Sequence, residues 1–365
     1  MPASIKGGNR IEFLDGIRGL AILWIFSFHL MGLYFDIYGN FLGKIICHGH
    51  FGVEMFLIIS GFVISGSAEN ILSNNGSALA FIKRRLARIY LPYFFCVIFS
   101  VVVIPHATVM LSTVIGAPLD YRFPNYSFSQ WIAALTMTKT FTAENWSLSK
   151  VYIPINNPLW YLSIIVQIYL VTAIALLFKR QYTKIIIAIT ALSMGSFFPQ
   201  TLAFIPYGLF LPYWPSFAVG ILLFHLSKNN NKRLPLTPLI YGLCLLGLLL
   251  LIFAANTYRQ LFLSSFVFSA CCGFLIWTLY PFNKRIAKNP CFRALIFFGS
   301  FSFSLYLLHD PLYRSIGSLI HAYNPYLSYK LFYAAIFPTV IILSYLWYLV
   351  FERPFKTLGS RKQEP

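Results

Sequence analysis

The chain has 365 residues, of which 58% are hydrophobic and only 10% charged, against about 25% charged in an average soluble protein. Soluble domains of this total length need far more polar surface. Six cysteines without framework spacing exclude a disulfide-stapled scaffold, and 37 Phe, 23 Tyr and 7 Trp exclude intrinsic disorder. The class that remains is an all-α, polytopic membrane protein. The net charge of +18 does not point to nucleic acid, because Lys and Arg fall in short clusters between long apolar runs, the pattern of cytoplasmic loops.

A membrane-crossing helix needs about 20 apolar residues. Ten spans are expected, at 13–34, 50–68, 89–105, 158–178, 184–199, 207–226, 236–256, 261–281, 295–314 and 331–351. With the N-terminus inside, 20 Lys and Arg fall on inner segments and 7 on outer ones, with Arg18 inside the first span. That asymmetry predicts both termini in the cytoplasm. The first run is no cleavable signal, since Asp15 and Arg18 interrupt its start and no small-residue cleavage site follows. Residues 106–157 are expected outside, with Trp131–Phe141 as an interfacial or re-entrant piece, and KNNNKR at 228–233 as a short inner loop. No internal repeat is evident. The expectation is a single membrane domain over 1–365 with no soluble domain appended.

Ionisable groups inside a membrane are costly and mark function by default. Arg18 and His29 lie eleven residues apart on the first span, three turns plus about 20°, so they share a face and stand about 16 Å apart along it. Asp15, three residues before Arg18, is placed to pair with it. Glu54 opens the second span from the outer side and His309-Asp310 falls late in the ninth, so His29, Glu54 and His309 are expected at similar depth. Lys83-Arg84-Arg85 and Arg88 precede the third span, where they suit either lipid headgroups or the phosphates of a ligand. No nucleophile elbow, zinc-protease motif or Gly-rich phosphate loop occurs. The six cysteines and the His48/His50 pair show no metal spacing that carries weight, so no metal is expected.

These residues resemble the acyltransferase-3 family of integral membrane O-acyltransferases. Arg10-Ile-Glu-Phe-Leu-Asp-Gly-Ile-Arg-Gly-Leu-Ala-Ile-Leu-Trp24 with His29 resembles the opening helix, and Gly52-Val-Glu-Met-Phe-Leu-Ile-Ile-Ser-Gly-Phe62 the second-helix motif. Arg85-x-x-Arg88 with Pro92 resembles the basic motif, and Leu159-Trp-Tyr-Leu-Ser163 the motif opening the next long helix. Ser302-Phe-Ser-Leu-Tyr-Leu-Leu-His309 and Phe351-Glu-Arg-Pro-Phe355 resemble the closing motifs. Two departures stand out: Glu54 occupies a position commonly Asp, and Ser163 is followed by Ile164-Ile-Val-Gln167-Ile-Tyr169 without the family's acidic pair.

The resemblance implies transfer of an acyl group, in most cases acetyl, from cytoplasmic acyl-CoA to a hydroxyl of a surface or lipid-linked glycan, in the bacterial inner membrane and without a bound cofactor. The chain lacks the esterase-like domain fused to some members, so the membrane domain or a partner is expected to complete transfer. The resemblance makes His29, Glu54 and His309 the catalytic candidates, with His29 as the base for a sugar hydroxyl or itself acylated. Arg18, Arg85, Arg88, Asp15, Trp160, Ser163, Tyr306 and Glu352 become candidates for donor or substrate binding. A glycan-precursor transporter or flippase is the competing reading, and burying charges along a pathway would suit it too.

Overall fold

The computed structural model describes residues 11–31, 41–120, 123–144, 148, 151–152, 155–228, 261–324 and 326–354, and every regular element among them is helical. In chain order the α-helices are α1 Glu12–Met31, α2 Phe41–Ile46, α3 Gly52–Ser73, α4 Ala78–Ile98 and α5 Ile104–Val114. Next come α6 Phe128–Leu135, α7 Trp160–Leu177, α8 Tyr182–Met194, α9 Pro199–Leu202 and α10 Trp214–Lys228. The last five are α11 Leu261–Leu279, α12 Asn283–Ala287, α13 Pro290–Ser300, α14 Ser302–Tyr323 and α15 Tyr329–Trp347.

Local chemistry sets many of these ends. Glu12 and Asp15 in the first turn of α1 suit its positive end. Past the end of α3, Asn75 takes a left-handed φ of 51°, which Asn tolerates. The Gly76 N–H then closes onto the Ile71 carbonyl at 2.8 Å, a Schellman end that satisfies an orphan acceptor. Ser127 and Gln130 form a reciprocal capping box at the start of α6, so the expected interfacial piece is an eight-residue helix, too short to span.

The chain divides into two compact units. Among the described residues the first comprises 11–31, 41–81, 167–228 and 261–300. Its core gathers Phe13, Leu14, Phe51, Met55, Phe62, Phe224 and Phe268, with the Phe51 and Phe268 rings stacked at 4.6 Å. Two helix crossings in it are built on glycine. A β-carbon on Gly19 would stand 1.9 Å from the Leu295 carbonyl oxygen, and one on Gly299 1.8 Å from that of Asp15, so α1 and α13 touch backbone to backbone. Gly61 and Gly220 do the same for α3 and α10, at 2.1 Å from Phe217 O and 2.0 Å from Ile58 O. Close packing of small residues is how apolar helices associate where lipid removes the hydrophobic drive between them.

The second unit comprises the described residues between 82 and 166 and between 301 and 354. Here α14 packs on α15 and α5, and Phe301 meets Tyr345 at 5.3 Å while Phe99 meets Trp347 at 4.8 Å. A π-helical turn at Phe99–Val103 joins α4 to α5. The run 78–114 is thus one 37-residue helical span, longer at both ends than the expected 89–105. The cluster Lys83–Arg88 lies inside it rather than before it, because nothing between Ala78 and Arg88 breaks a helix.

Among the described residues six helices are long and apolar enough to cross a membrane, or seven if α13 and α14 make one broken span. The count of ten exceeds this for identifiable reasons. α8 has 13 residues and α10 has 15, about 20–22 Å at 1.5 Å per residue, short of a core about 30 Å thick. The expected 236–256 span lies outside the described residues, as do Trp146 and residues 229–233 of the KNNNKR loop. The ninth expected span is interrupted at Phe301, so His309 is the eighth residue of α14 rather than near the end of a continuous 295–314 helix.

Candidate active site

In the first unit, α1 runs unbroken from Glu12 to Met31, so Arg18 and His29 do share a face. Arg18 Nη1 donates to Asp15 Oδ1 at 3.1 Å, with Asp15 buried and Arg18 partly so. The spacing of three residues anticipated this pair. His29 is half-buried, its ring 5.2 Å from that of Phe28. Gly52 abuts Ala21 and Ile25 of α1, which sets the start of α3 against the middle of α1.

Two residues on, Glu54 is directed elsewhere. Its partner is the Ser265 hydroxyl of α11, and Tyr213 is its electrostatic neighbour. Glu54 is 6% exposed and its Oε2 has no hydrogen-bond partner among the described residues. A buried carboxylate oxygen left this way is costly.

The second unit brings more of the motifs together. Pro311 has no N–H for the Leu307 carbonyl one turn earlier, so that acceptor is orphaned inside α14. Asn156 Nδ2 fills it at 2.7 Å and Cys96 Sγ at 3.2 Å. Asn157 N then donates to Asp310 Oδ2 at 3.2 Å, and the Tyr306 hydroxyl donates to the Pro158 carbonyl. The segment opening α7 is thereby clamped to the middle of α14. Trp160 and Ser163 follow within that first turn of α7; the Ser163 hydroxyl lies 2.9 Å from that of Tyr152. Burial raises the Tyr152 phenol above its ordinary value, keeping it a neutral hydroxyl.

His309 is fully buried, and its Nδ1–H donates to the carbonyls of Leu305 and Tyr306 at 3.0 and 2.9 Å. That holds the proton on Nδ1 and makes Nε2 the acceptor. Asp310, 2% exposed, accepts from Tyr313 Oη at 3.0 Å and Arg314 Nε at 2.9 Å besides Asn157. Glu352 plays a structural part. From a π-helical turn it accepts the Ser304 N–H at 3.1 Å and the Ser304 hydroxyl at 2.5 Å. It thus caps the N-terminal turn of α14, where a carboxylate complements the dipole. Arg85 is half-buried on α4, whereas Lys83, Arg84 and Arg88 are exposed.

Sequence reasoning missed Asn156, Cys96 and Arg314 as members of this network. The available signal was Pro311, which predicts an orphan carbonyl at Leu307 but not its partner.

The fold and these sites define a multi-pass helical membrane protein with polar groups buried among its apolar helices. The chain belongs to the acyltransferase-domain family (acyltransferase-3), whose sequence model matches residues 11–349. It is 30% identical over 158 residues to the acyltransferase MdmB of Streptomyces mycarofaciens, covering 42% of this chain and 39% of that protein. It is 24% identical over 340 residues to the O-acetyltransferase OatA of Staphylococcus aureus (strain NCTC 8325 / PS 47), covering 84% of this chain and 51% of that one. The chain thus spans about half the length, or less, of the curated relatives it matches. No solved structure matches it.

Proposed function

We propose that this protein is a membrane O-acyltransferase, working as an O-acetyltransferase, that moves an acyl group from cytoplasmic acyl-CoA to a hydroxyl of a surface or lipid-linked glycan. We place it in the bacterial inner membrane as one multi-pass transmembrane domain with both termini cytoplasmic. The observation that carries the reading is family membership along nearly the whole chain. The names of the relatives, one an acyltransferase and one an O-acetyltransferase, support the reaction class.

In this reading Arg18, Arg85 and Arg88 hold the phosphates of the donor. Guanidinium forks suit phosphate oxygens, and Asp15 keeps Arg18 in place. His29 takes the proton of the acceptor hydroxyl as its oxygen attacks the thioester carbonyl. The O–acyl bond forms, the S–acyl bond breaks, and the proton passes to the departing CoA thiolate. A neutral imidazole suits the step because its unperturbed pKa, about 6.5, lies near working pH. Glu54 and His309 support the reaction from their own units. Trp160, Ser163 and Tyr306 shape the acceptor side, and Glu352 acts by holding α14.

Mass spectrometry of surface glycans from cells with and without the gene tests the function. A difference of one acyl group is expected; identical glycans under conditions of good expression would sink the reading. For the donor, Arg85→Ala and Arg88→Ala should each weaken acyl-CoA binding to the purified protein roughly 10- to 100-fold, the worth of one hydrogen bond to a charged group. Arg88→Glu should weaken it more than Arg88→Lys. Unchanged binding in both alanine variants would return the cluster to a role in contacting lipid headgroups. For topology, a cysteine at Lys232 should react with an impermeant maleimide only after the cells are opened; labelling of intact cells would reverse the orientation.

A further inference from the structure

A cleft of about 250 Å³ lies in the second unit, bounded by α5, by Leu119, Asp120 and Pro124, and by residues of α14 from Pro311 to Ser318. Its polar lining is Arg314, Asp120, Ser100, Thr108, Ser315 and Ser318. The motifs shared with the family do not reach these residues. Arg314 is half-exposed, yet its Nε is held at 2.9 Å by Asp310, which is itself 2% exposed and also fixed by Tyr313 and Asn157. An ordinary surface arginine has no such anchor, and exposed ion pairs are worth little. Here the guanidinium is oriented from beneath by a buried carboxylate.

The chemistry of the lining selects its occupant. One guanidinium and one carboxylate leave the cleft without a strong field of either sign, unlike the exposed cluster at Lys83–Arg88. A phosphate or uronate would meet Arg314 but also Asp120. The four hydroxyls, with a donor and an acceptor of full charge, suit a group that both gives and accepts hydrogen bonds. The apolar remainder, which includes Val109, Leu119 and Pro311, suits the C–H face of a ring. The volume falls below the roughly 300 Å³ at which sites for drug-sized ligands begin, enough for one ring and not for an oligosaccharide. Pro311, the first α14 residue of the lining, lies two residues beyond His309, about 3 Å along the axis.

We propose that this cleft binds a single uncharged sugar ring, the acceptor end of the substrate, between Arg314 and Asp120. Calling the ring an acceptor rests on the acyltransferase reading above; the binding itself does not.

The test uses the full-length protein in detergent carrying Ser318→Cys, a position that is exposed and lines the cleft. Maleimide labelling is followed with methyl glucoside, methyl galactoside, methyl N-acetylglucosaminide or methyl glucuronide present, the natural cysteines being subtracted with the parent protein. At least one neutral hexoside should slow labelling about tenfold, what nine-tenths occupancy gives, and Arg314→Gln should remove that protection. The proposal is overturned if no hexoside slows labelling, or if the glucuronide protects as well as the neutral sugars. A parallel assay of acetyl-CoA cleavage and acetyl transfer to the same hexosides separates the two readings. Protection without transfer keeps the sugar cleft and removes the acyltransferase; transfer without protection does the reverse.

Discussion

His29→Ala removes glycan acylation, with an expected loss of about 10²–10⁴-fold in rate, the range for a general base. The protein should still insert and bind acyl-CoA. The position permits that separation: His29 is only half-buried and lies at the end of α1, so its loss opens no core cavity. Arg18 keeps its 3.1 Å contact with Asp15 three helical turns away. Along the helix the two residues are about 16 Å apart, a distance that an extended pantetheine arm can bridge. His309→Ala differs in kind, because His309 is fully buried and bonded to its own helix; its effect should combine a smaller rate loss with lower stability. Acylation by membranes holding each variant at matched levels decides the matter. Near-wild-type activity in His29→Ala would overturn the mechanism while leaving family membership intact.

Gly299→Val should cost more stability than any of the site variants. Even a single β-carbon there would stand 1.8 Å from the Asp15 carbonyl oxygen and 2.6 Å from its carbon. These are backbone atoms, which have no rotamer to retreat into. Overpacking costs about 1–3 kcal/mol when side chains yield, so this change belongs at or beyond the upper end. The crossing also carries Asp15 and Arg18, and donor binding should fall with stability. Gly116→Ala is the control: Gly116 has a φ of 73° with nothing within 4 Å of a β-carbon, so its cost is conformational, about 1–2 kcal/mol. Thermal unfolding of the purified proteins, read by tryptophan fluorescence or size-exclusion retention, compares them. If Gly299→Val melts with Gly116→Ala or above it, α1 and α13 do not meet through backbone.

The divide between what sequence and tertiary structure each supply follows the range of the interactions. Hydropathy is a local sum, so α1, α3, α7, α11 and α15 are evident from composition along the chain. The Asp15–Arg18 pair is equally local, since residues three apart on a helix are neighbours by geometry alone. Composition is blind to where an apolar run stops being helical. It missed the shortness of α8 and α10 and the break at Phe301, because those runs remain apolar through the 3-10 turns and the bend. Spacing is blind in the same way to partners far along the chain.

That Glu352 caps α14 through Ser304, that Asn156 answers the carbonyl freed by Pro311, and that Glu54 turns to Ser265 were decided by tertiary packing. So were the glycines: Gly19 and Gly299 read as ordinary small residues in a sequence, and only the approach of two backbones gives each its reason. A buried polar group must find a partner because the membrane supplies no water. The sequence by itself states that need at Pro311, Asp310 and Glu352. Which atom meets it is set by helices brought together from distant parts of the chain.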